Sequence, residues 1–399
     1  MSVSSVGKDL FMAVEPKEIN DFFNISQQDF FGILTIQDES TLLTLKSKVA
    51  IPSISELDFI IGAGFDHKII SCLGCIDAGF QTNFHNGGTE FSSSIFPHHV
   101  VIGNASLYAE ETTITDIHFT TNDLPTLFND RSAFGQIFST SEELTRVLTQ
   151  HHDKLEKDFK LGYKLSLPEM ADNPNIFYYT GKTKIFECST EIGVITVNHS
   201  PSISIDGKTG IACENNITAT LSFDVPVNFD TAISRMSTLS RFFSIIAGRS
   251  QKSFDIKIEK SGLPANSHLD VYYSYSTSTS ANILQNSRDT PLNPIMRPEE
   301  FSHVLENWIK REPEWRIGRI QYLNGLSKGR SYDTDRLVSA ANAFDILPSS
   351  ATVPDSIDAA DHETARNECI QILKALPPTE DRAAAIGVLK RWGRANLRS

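Results

Sequence analysis

The amino-acid sequence predicts an α+β protein, in which a β-rich, antiparallel N-terminal region is followed by an all-α helical bundle. Residues 217–225 and 254–258 alternate apolar and polar side chains with a period of two, which is typical of a sheet with one exposed face. Residues 301–309 instead place apolar side chains at the spacing of an amphipathic helix. Between these regions, residues 276–298 are rich in Ser, Thr, Asn and Pro, which indicates a linker.

Length and composition are consistent with this division. A chain of 399 residues has room for two or three domains, each with its own core. A hydrophobic share of 40% excludes a disordered chain, and 22 glycines and 5 cysteines exclude collagen and small disulfide scaffolds. We therefore predict a β-rich domain in residues 1–275, a linker in 276–298 and a helical domain in 299–399.

The predicted strands of the first domain are short runs of β-branched and aromatic residues. The clearest are residues 30–37, 41–47, 58–63, 68–74, 99–103 and 115–120, together with the two alternating segments. Asp206 and Gly207 fit a hairpin turn. Two helices are predicted within this domain: residues 141–157, with Ser141 as the capping residue, and 231–247, which stops at Gly248.

In the second domain, helices are predicted near residues 301–309, from Thr334 to Pro348, over 361–376 and from Thr379 onward. The residues expected to be buried on them are Leu337, Val338, Ala341, Phe344, Ile370, Leu373, Leu376, Ile386, Leu389 and Trp392.

Charge and cysteine content limit the function classes. The net charge is −13, and residues 296–399 hold 15 basic and 15 acidic side chains, so the acidic excess lies in residues 1–295. Because an acidic surface repels phosphate, that region is a poor candidate for broad nucleic-acid binding. The cysteine count is odd, and the sequence has neither the apolar run of a signal peptide nor one of membrane length. These features predict a cytoplasmic protein without a membrane partner.

The basic end of the chain is the exception. Lys390, Arg391, Arg394 and Arg398 follow the last acidic residue, Asp381. They either complement the C-terminal end of a helix dipole or form an RNA-facing surface.

Common catalytic templates are absent from the sequence. It contains no Walker A loop, no G-x-S-x-G and no H-E-x-x-H. Cys72 and Cys75, with His85 and either His98 or His99, could be drawn as a zinc site, but residues three apart on a strand point to opposite faces. Ordinary strand cysteines are the simpler interpretation. We expect no metal ion and no cofactor.

Two segments resemble a known family. A resemblance to the N-terminal domain of ApeA-type bacterial abortive-infection proteins is found in VVIGNASLY (100–108) and DIHFTTNDLPTLFNDRSAFG (116–135). YDTDRLVSAANAFDILPSSA (332–351) resembles the opening of the Apea-like HEPN domain that follows it in that family. The resemblance implies an anti-phage defence protein whose HEPN domain is a metal-independent ribonuclease, often dimeric. Its N-terminal domain would sense an invader or restrain the nuclease.

The family's catalytic R-x(4–6)-H motif is missing from residues 300–399. Elsewhere in the chain this spacing is found between Arg146 and His151 or His152, and between Arg297 and His303. Chance explains this number of matches. We therefore expect that the helical domain is incomplete, because the chain is truncated, naturally short or half of a split system, and that it does not cleave RNA alone.

Only Arg336, Asn342 and Asp345 match the family's signature segment, as residues that would line the HEPN cleft. The alternative for Arg336 and Asp345 is a surface pair and a helix cap.

Three functions remain open at this stage. The first is a HEPN-family defence protein acting on RNA, triggered by a phage protein and assembled as a homodimer. The second is a non-enzymatic module that binds protein or carbohydrate and has a helical dimerisation unit. The third is a hydrolase of unrecognised type.

Overall fold

The computed structural model describes residues 17–390, apart from 38–39, 54–58, 65–66, 86–87, 161–168, 173, 207–209, 265–266, 275–289, 327–333, 349–350 and 352–358. Within these residues most strands form one antiparallel sheet, in which hairpin pairs such as β11 with β12 alternate with pairings between strands distant in sequence, such as β7 with β13 and β6 with β14. The strands are β1 (Lys17–Ile25), β2 (Gln28–Gln37), β3 (Ser40–Ser47), β4 (Phe59–Ala63), β5 (Ile69–His85), β6 (Gly88–Gly103), β7 (Ile114–Thr121), β8 (Phe134–Phe138), β9 (Asn175–Tyr179), β10 (Lys184–Thr190), β11 (Gly193–Asp206), β12 (Gly210–Val227), β13 (Ser253–Lys260) and β14 (Leu269–Tyr273). The helices are α1 (Leu124–Leu127), α2 (Ser141–Phe159), α3 (Phe229–Ala247), α4 (Pro298–Lys310), α5 (Glu312–Leu326), α6 (Thr334–Asp345), α7 (Ala359–Ala375) and α8 (Glu380–Leu389), with a 3-10 turn at Arg131–Ala133.

Half of the large sheet closes on itself. The order β6-β3-β2-β1-β4-β5 returns to β6 through the β5–β6 pairing, which gives a ring of six strands. Alternating side chains of these strands, among them Phe23, Leu34, Leu43 and Ile95, point inward and are buried in one hydrophobic cluster. Glycine at position 62 makes room for this packing, since a Cβ there would lie 2.7 Å from the Phe23 ring.

The other half is an open sheet in the order β10-β11-β12-β7-β13-β14, which continues from β6. One edge of β6 pairs with β3 at residues 91–95 and with β14 at residues 99–102, while β5 pairs along its other edge. Strand β6 therefore belongs to both halves. Strands β8 and β9 form a separate two-stranded sheet.

Helix α3 lies against β7 and β12 of the open sheet and supplies much of the second hydrophobic core. Its Asn228 side chain caps the N-terminus by accepting from the Thr231 backbone N–H at 3.0 Å. Gly248 ends the helix in the left-handed conformation, as the sequence predicted.

Helix α4 is buried in the same core as the β-rich region. Phe301, Leu305 and Ile309 are almost completely inaccessible to solvent. The Phe301 ring contacts those of Phe128 and Phe186 at centroid distances of 5.6 and 5.2 Å. Phe301 also contacts the Phe242 ring of α3, and Phe128 contacts Phe243, so α4 packs among aromatic side chains of the β-rich region.

The later helices pack as pairs, α5 with α6 and α7 with α8. The predicted burial on α6 is wrong: Leu337, Val338, Ala341 and Phe344 are exposed, and Ala343 is the residue that the helix buries. A close approach of α6 to Gly318 of α5, where an added Cβ would lie 3.0 Å from the Ala343 carbonyl oxygen, explains which face is covered. Leu376 is exposed as well, and α7 buries no described side chain. Trp392 and the linker residues 275–289 lie outside the described residues.

The α+β prediction is confirmed, and so are the strands proposed for residues 30–37, 41–47, 68–74, 99–103, 115–120, 217–225 and 254–258. The strand proposed for 58–63 is present as Phe59–Ala63, and residue 58 lies outside the described residues. The cap of α2 is a correction, because Thr140 rather than Ser141 fills that position and forms a capping box with Glu143. Among the described helices, none has the length and apolar character needed to cross a bilayer.

Candidate functional site

The open sheet has one apolar face covered by α3 and α4, and an opposite face that is polar. The alternation on β7 shows this clearly, because Ile117 and Phe119 are buried in the core while the residues between and beside them point away. Strand register then places polar side chains of three adjacent strands next to one another. They are Asp116 and His118 on β7, Thr220 and Ser222 on β12, and Lys257 and Glu259 on β13.

Two histidines and one glutamate converge on this face. Nε2 of His118 lies 3.2 Å from Oε1 of Glu259, and Nδ1 of His268 lies 3.5 Å from the same oxygen. The two imidazole rings meet edge to face with centroids 5.2 Å apart. Within the part of the chain that the structure describes, this is the one group of three His, Cys, Asp or Glu side chains arranged to hold a metal ion.

The connection between β13 and β14 brings His268 to this position. The Ser261 N–H donates to the Thr113 carbonyl, and the Ser267 N–H donates to the Pro264 carbonyl. Gly262 takes a positive φ of 86°, which favours glycine in this turn. The turn sets His268 immediately before β14, beside Glu259 at the end of β13.

Neighbouring groups fix His118 and alter its proton affinity. Its Nδ1 lies 2.9 Å from the Thr220 hydroxyl oxygen, so both ring nitrogens have partners. Burial lowers the pKa of His118 below its ordinary value, and the His268 ring acts in the same direction. The Glu259 carboxylate opposes this by raising the pKa, and the Asp116 carboxylate does so more weakly.

A second cluster joins the β-rich region to α5. The Arg319 guanidinium stacks on the Trp308 ring at 3.6 Å and donates to the Trp308 carbonyl at 2.8 Å. Glu312 accepts from Arg319 through Oε2 and from Arg241 of α3 through Oε1, each at 2.5 Å. Burial is the main cause that lowers the pKa of Arg319, which Glu312 opposes. We call these four residues the Arg319 junction.

A comparison with protein-family models identifies the family of the chain. The model described as ApeA N-terminal domain 1 matches residues 20–311. The chain belongs to this ApeA family. No curated protein and no solved structure matches it. Membership identifies an ApeA-type protein and suggests a role in anti-phage defence.

The matched ApeA segment ends next to α4, so it contains both the His118 cluster and Trp308. Sequence spacing does not reveal the cluster, because its histidines and glutamate are up to 150 positions apart along the chain. The alternation around Ile117 and Ile258 does place His118 and Glu259 on polar faces. Only the pairing of β7 with β13, which the sequence does not reveal, brings those faces together.

The residues taken from the HEPN resemblance lie on α6, outside the matched ApeA segment. Arg336 is half-buried and its stem faces Gly325 of α5. Asn342 and Asp345 are exposed, and the Asn342 carbonyl accepts from the Ile346 N–H. Among the basic residues at the end, Lys390 is exposed, and Arg391, Arg394 and Arg398 lie outside the described residues.

The cysteine pair considered for zinc is not gathered in this ApeA-family fold. Cys72 is completely buried inside the ring of strands, where burial raises the pKa of its thiol. Cys75 is half-buried, and its thiol contacts the Cys72 carbonyl at 3.6 Å. Gly74 between them has a φ of +60°, which favours glycine at that position. The His85 side chain lies outside the described residues.

Proposed function

We propose that this ApeA-type chain is an anti-phage defence protein of the HEPN ribonuclease family. Its β-rich region would sense a phage protein or restrain the nuclease, and its helical region would belong to the RNA-cleaving unit. The observation that carries the proposal is the family match across residues 20–311. The resemblance of residues 332–351 to the opening of a HEPN domain supports the second half.

A surface suited to a protein trigger supports the sensing role. The distal part of β5, beyond Leu73, pairs with β6 on one side, and its other edge carries no strand among the described residues. Ile76, Phe80 and Phe84 are exposed there, Phe84 at 81% of its maximum. An extended edge with exposed apolar side chains is the kind of surface to which another chain adds a strand.

The Arg319 junction supports communication between sensor and effector. It connects α3, which packs on the sheet, to α5, which packs on the α6 helix with the HEPN-like signature. Glu312 is 15% exposed and bridges Arg241 and Arg319, so a change in its position would alter its ion pairs with both α3 and α5. The junction would transmit trigger binding to the helical region.

The exposed apolar side chains of α6 support a homodimer in which Leu337, Val338 and Phe344 are covered. RNA would be cleaved in a complete HEPN unit, with Arg336, Asn342 and Asp345 in its cleft and the basic end from Lys390 to Arg398 near the RNA. The protein would act in the cytoplasm, without a cofactor.

A phage-challenge assay tests this function. Cells expressing the chain with its native gene neighbourhood are expected to reduce phage plating, with loss of intact RNA after infection. Arg319→Ala is expected to abolish protection while leaving the protein folded, whereas Arg316→Ala, at an exposed arginine of the same helix, is expected to be neutral. Purified chain alone is expected not to cleave RNA.

Protection without any RNA cleavage would favour the alternative function, a non-enzymatic module that binds protein or carbohydrate and dimerises through its helices. The exposed face of α6 is equally suited to that function. Equal protection by Arg319→Ala and wild type would contradict the proposed transmission through the junction.

A further inference from the structure

We propose that His118, Glu259 and His268 bind a divalent transition-metal ion, for which Zn²⁺ is the appropriate probe. The site is on the polar face of the open sheet and is separate from the Arg319 junction and from the HEPN-like helix. Imidazole nitrogen and carboxylate oxygen are both zinc ligands, and two histidines with one glutamate form an established three-ligand zinc set.

The distances between ligand atoms fit one tetrahedral ion. With metal–nitrogen bonds near 2.0–2.1 Å, two ligands on a tetrahedron are separated by about 3.3 Å. The contacts from Glu259 Oε1 to the two histidine nitrogens are 3.2 and 3.5 Å. All three ligand atoms lie within 4.8 Å of one another, so a small closing movement of the His268 ring completes the set.

A neighbouring hydroxyl orients the most buried ligand. In one tautomer His118 donates its Nδ1–H to Thr220 Oγ1, 2.9 Å away, and Nε2 then directs a lone pair at the Glu259 carboxylate. A cation between these two acceptors removes their repulsion. The same arrangement, in which a ligating histidine donates from its other nitrogen, is general in metal sites.

The surroundings favour a cation and leave one position open. Strands β7 and β13 fix His118 and Glu259 on a hydrogen-bonded ladder, so little order is lost on binding. On the same face Asp116 and Asp270 add negative charge and Lys257 adds one positive charge, in register with the site. The three side chains are 20 to 34% exposed, so water can occupy a fourth position.

Direct titration tests the site. Untagged full-length chain, with Cys213 and Cys369 changed to Ser so that no exposed thiolate competes, is titrated with Zn²⁺ against a chromogenic chelator. One ion per chain is expected, and Mg²⁺ is expected not to compete, because it prefers oxygen ligands. Co²⁺ in place of Zn²⁺ is expected to give a tetrahedral visible spectrum without thiolate charge-transfer bands.

Matched variants separate this site from adventitious binding. His268→Ala and Glu259→Gln, at partly exposed positions, are each expected to weaken zinc binding by more than about 100-fold, and Thr220→Val by about 10-fold. His303→Ala, at a histidine on α4 outside the cluster, is expected to leave the affinity unchanged. Circular dichroism checks that each variant is folded.

Two outcomes overturn the proposal. Either folded wild-type chain shows no zinc binding at micromolar concentration, or His268→Ala and Glu259→Gln bind as tightly as wild type. In both cases the His118–Glu259 contact is an ordinary hydrogen bond, with the proton on Nε2.

Discussion

A buried ion pair connects the turn after β7 to the segment between α3 and β13, and removing it is expected to destabilise the β-rich region strongly. Asp123 is completely buried. Its carboxylate accepts from Arg249 Nε at 2.5 Å and from Arg249 Nη2, and from Gln251 Nε2 at 2.6 Å. The Asp123 N–H also donates to Gln251 Oε1 at 2.9 Å. We consider the substitution Asp123→Ala.

The magnitude follows from what the substitution leaves behind. Each charge-assisted hydrogen bond to Arg249 contributes about 1.5–3 kcal/mol, and leaving one member of a buried pair alone costs about 3–5 kcal/mol. The Arg249 side chain is 14% exposed and can recover some hydration, so about 3–4 kcal/mol is expected for Asp123→Ala. Arg249→Met leaves a fully buried carboxylate instead, so its cost is expected to be the larger of the two.

Urea unfolding followed by circular dichroism measures both costs as shifts in midpoint at constant slope. The matched control is Lys184→Ala, which removes an ion pair whose partners are 55 and 49% exposed and is expected to cost less than about 1 kcal/mol. If Asp123→Ala shifted the midpoint no more than Lys184→Ala does, the reasoning from burial would be refuted.

Three further predictions use the same unfolding measurement. Burial against Phe229, with a smaller contribution from His98, lowers the pKa of His99 to about 4 despite Asp230. His99 in the unfolded chain therefore binds a proton at a higher pH than His99 in the folded protein. The free energy of unfolding is full above about pH 6.5 and declines by roughly 3 kcal/mol toward pH 4, and His99→Gln is expected to remove that decline. An unchanged pH profile in the variant would exclude His99 as its source. Gly193→Ala places a Cβ 2.3 Å from the Ser222 carbonyl oxygen at a φ of +131° and is expected to cost well over about 2 kcal/mol of stability. Gly262→Ala, where φ is +86° and the space is open, is expected to cost less. Equal costs would contradict the clash. Phe301→Ala is expected to cost about 3–5 kcal/mol of stability, so that the β-rich core unfolds at a lower urea concentration. If only the helical circular-dichroism signal were lost, α4 would be independent of that core.

Much of the fold could be predicted because its elements have strong local signals. Alternation over residues 217–225 and 254–258 is the direct result of one buried and one exposed sheet face, and α3 carries a cap, an apolar stripe and a terminal glycine. The burial predicted on α6 was wrong for a physical reason. Apolar spacing identifies a helix face, but the closest approach of α5 and α6 is at Gly318 and Ala343, which are small residues with a weak hydrophobic signal.

The candidate site could not be predicted, because it depends on pairings between distant strands. His118 in isolation is one polar residue in a strand, and Glu259 is another. The ring of six strands has the same origin, since the pairing of β5 with β6 that closes it has no signature beyond two ordinary apolar runs. The Arg319 junction was missed because α5 has a weak apolar stripe and because an arginine stacked on a tryptophan is buried against expectation.

Strand β6 has an energetic consequence for ligand binding at either end of the β-rich region. Its residues 91–95 complete the ladder with β3 and its residues 99–102 complete the ladder with β14, so detaching β6 would expose backbone groups of both halves. A ligand that stabilises the ring against opening should therefore slow amide exchange at Val271 and Tyr272 on the far side of β6. Binding at the β5 edge and binding on the open sheet would then be coupled to the extent that each holds β6 in place.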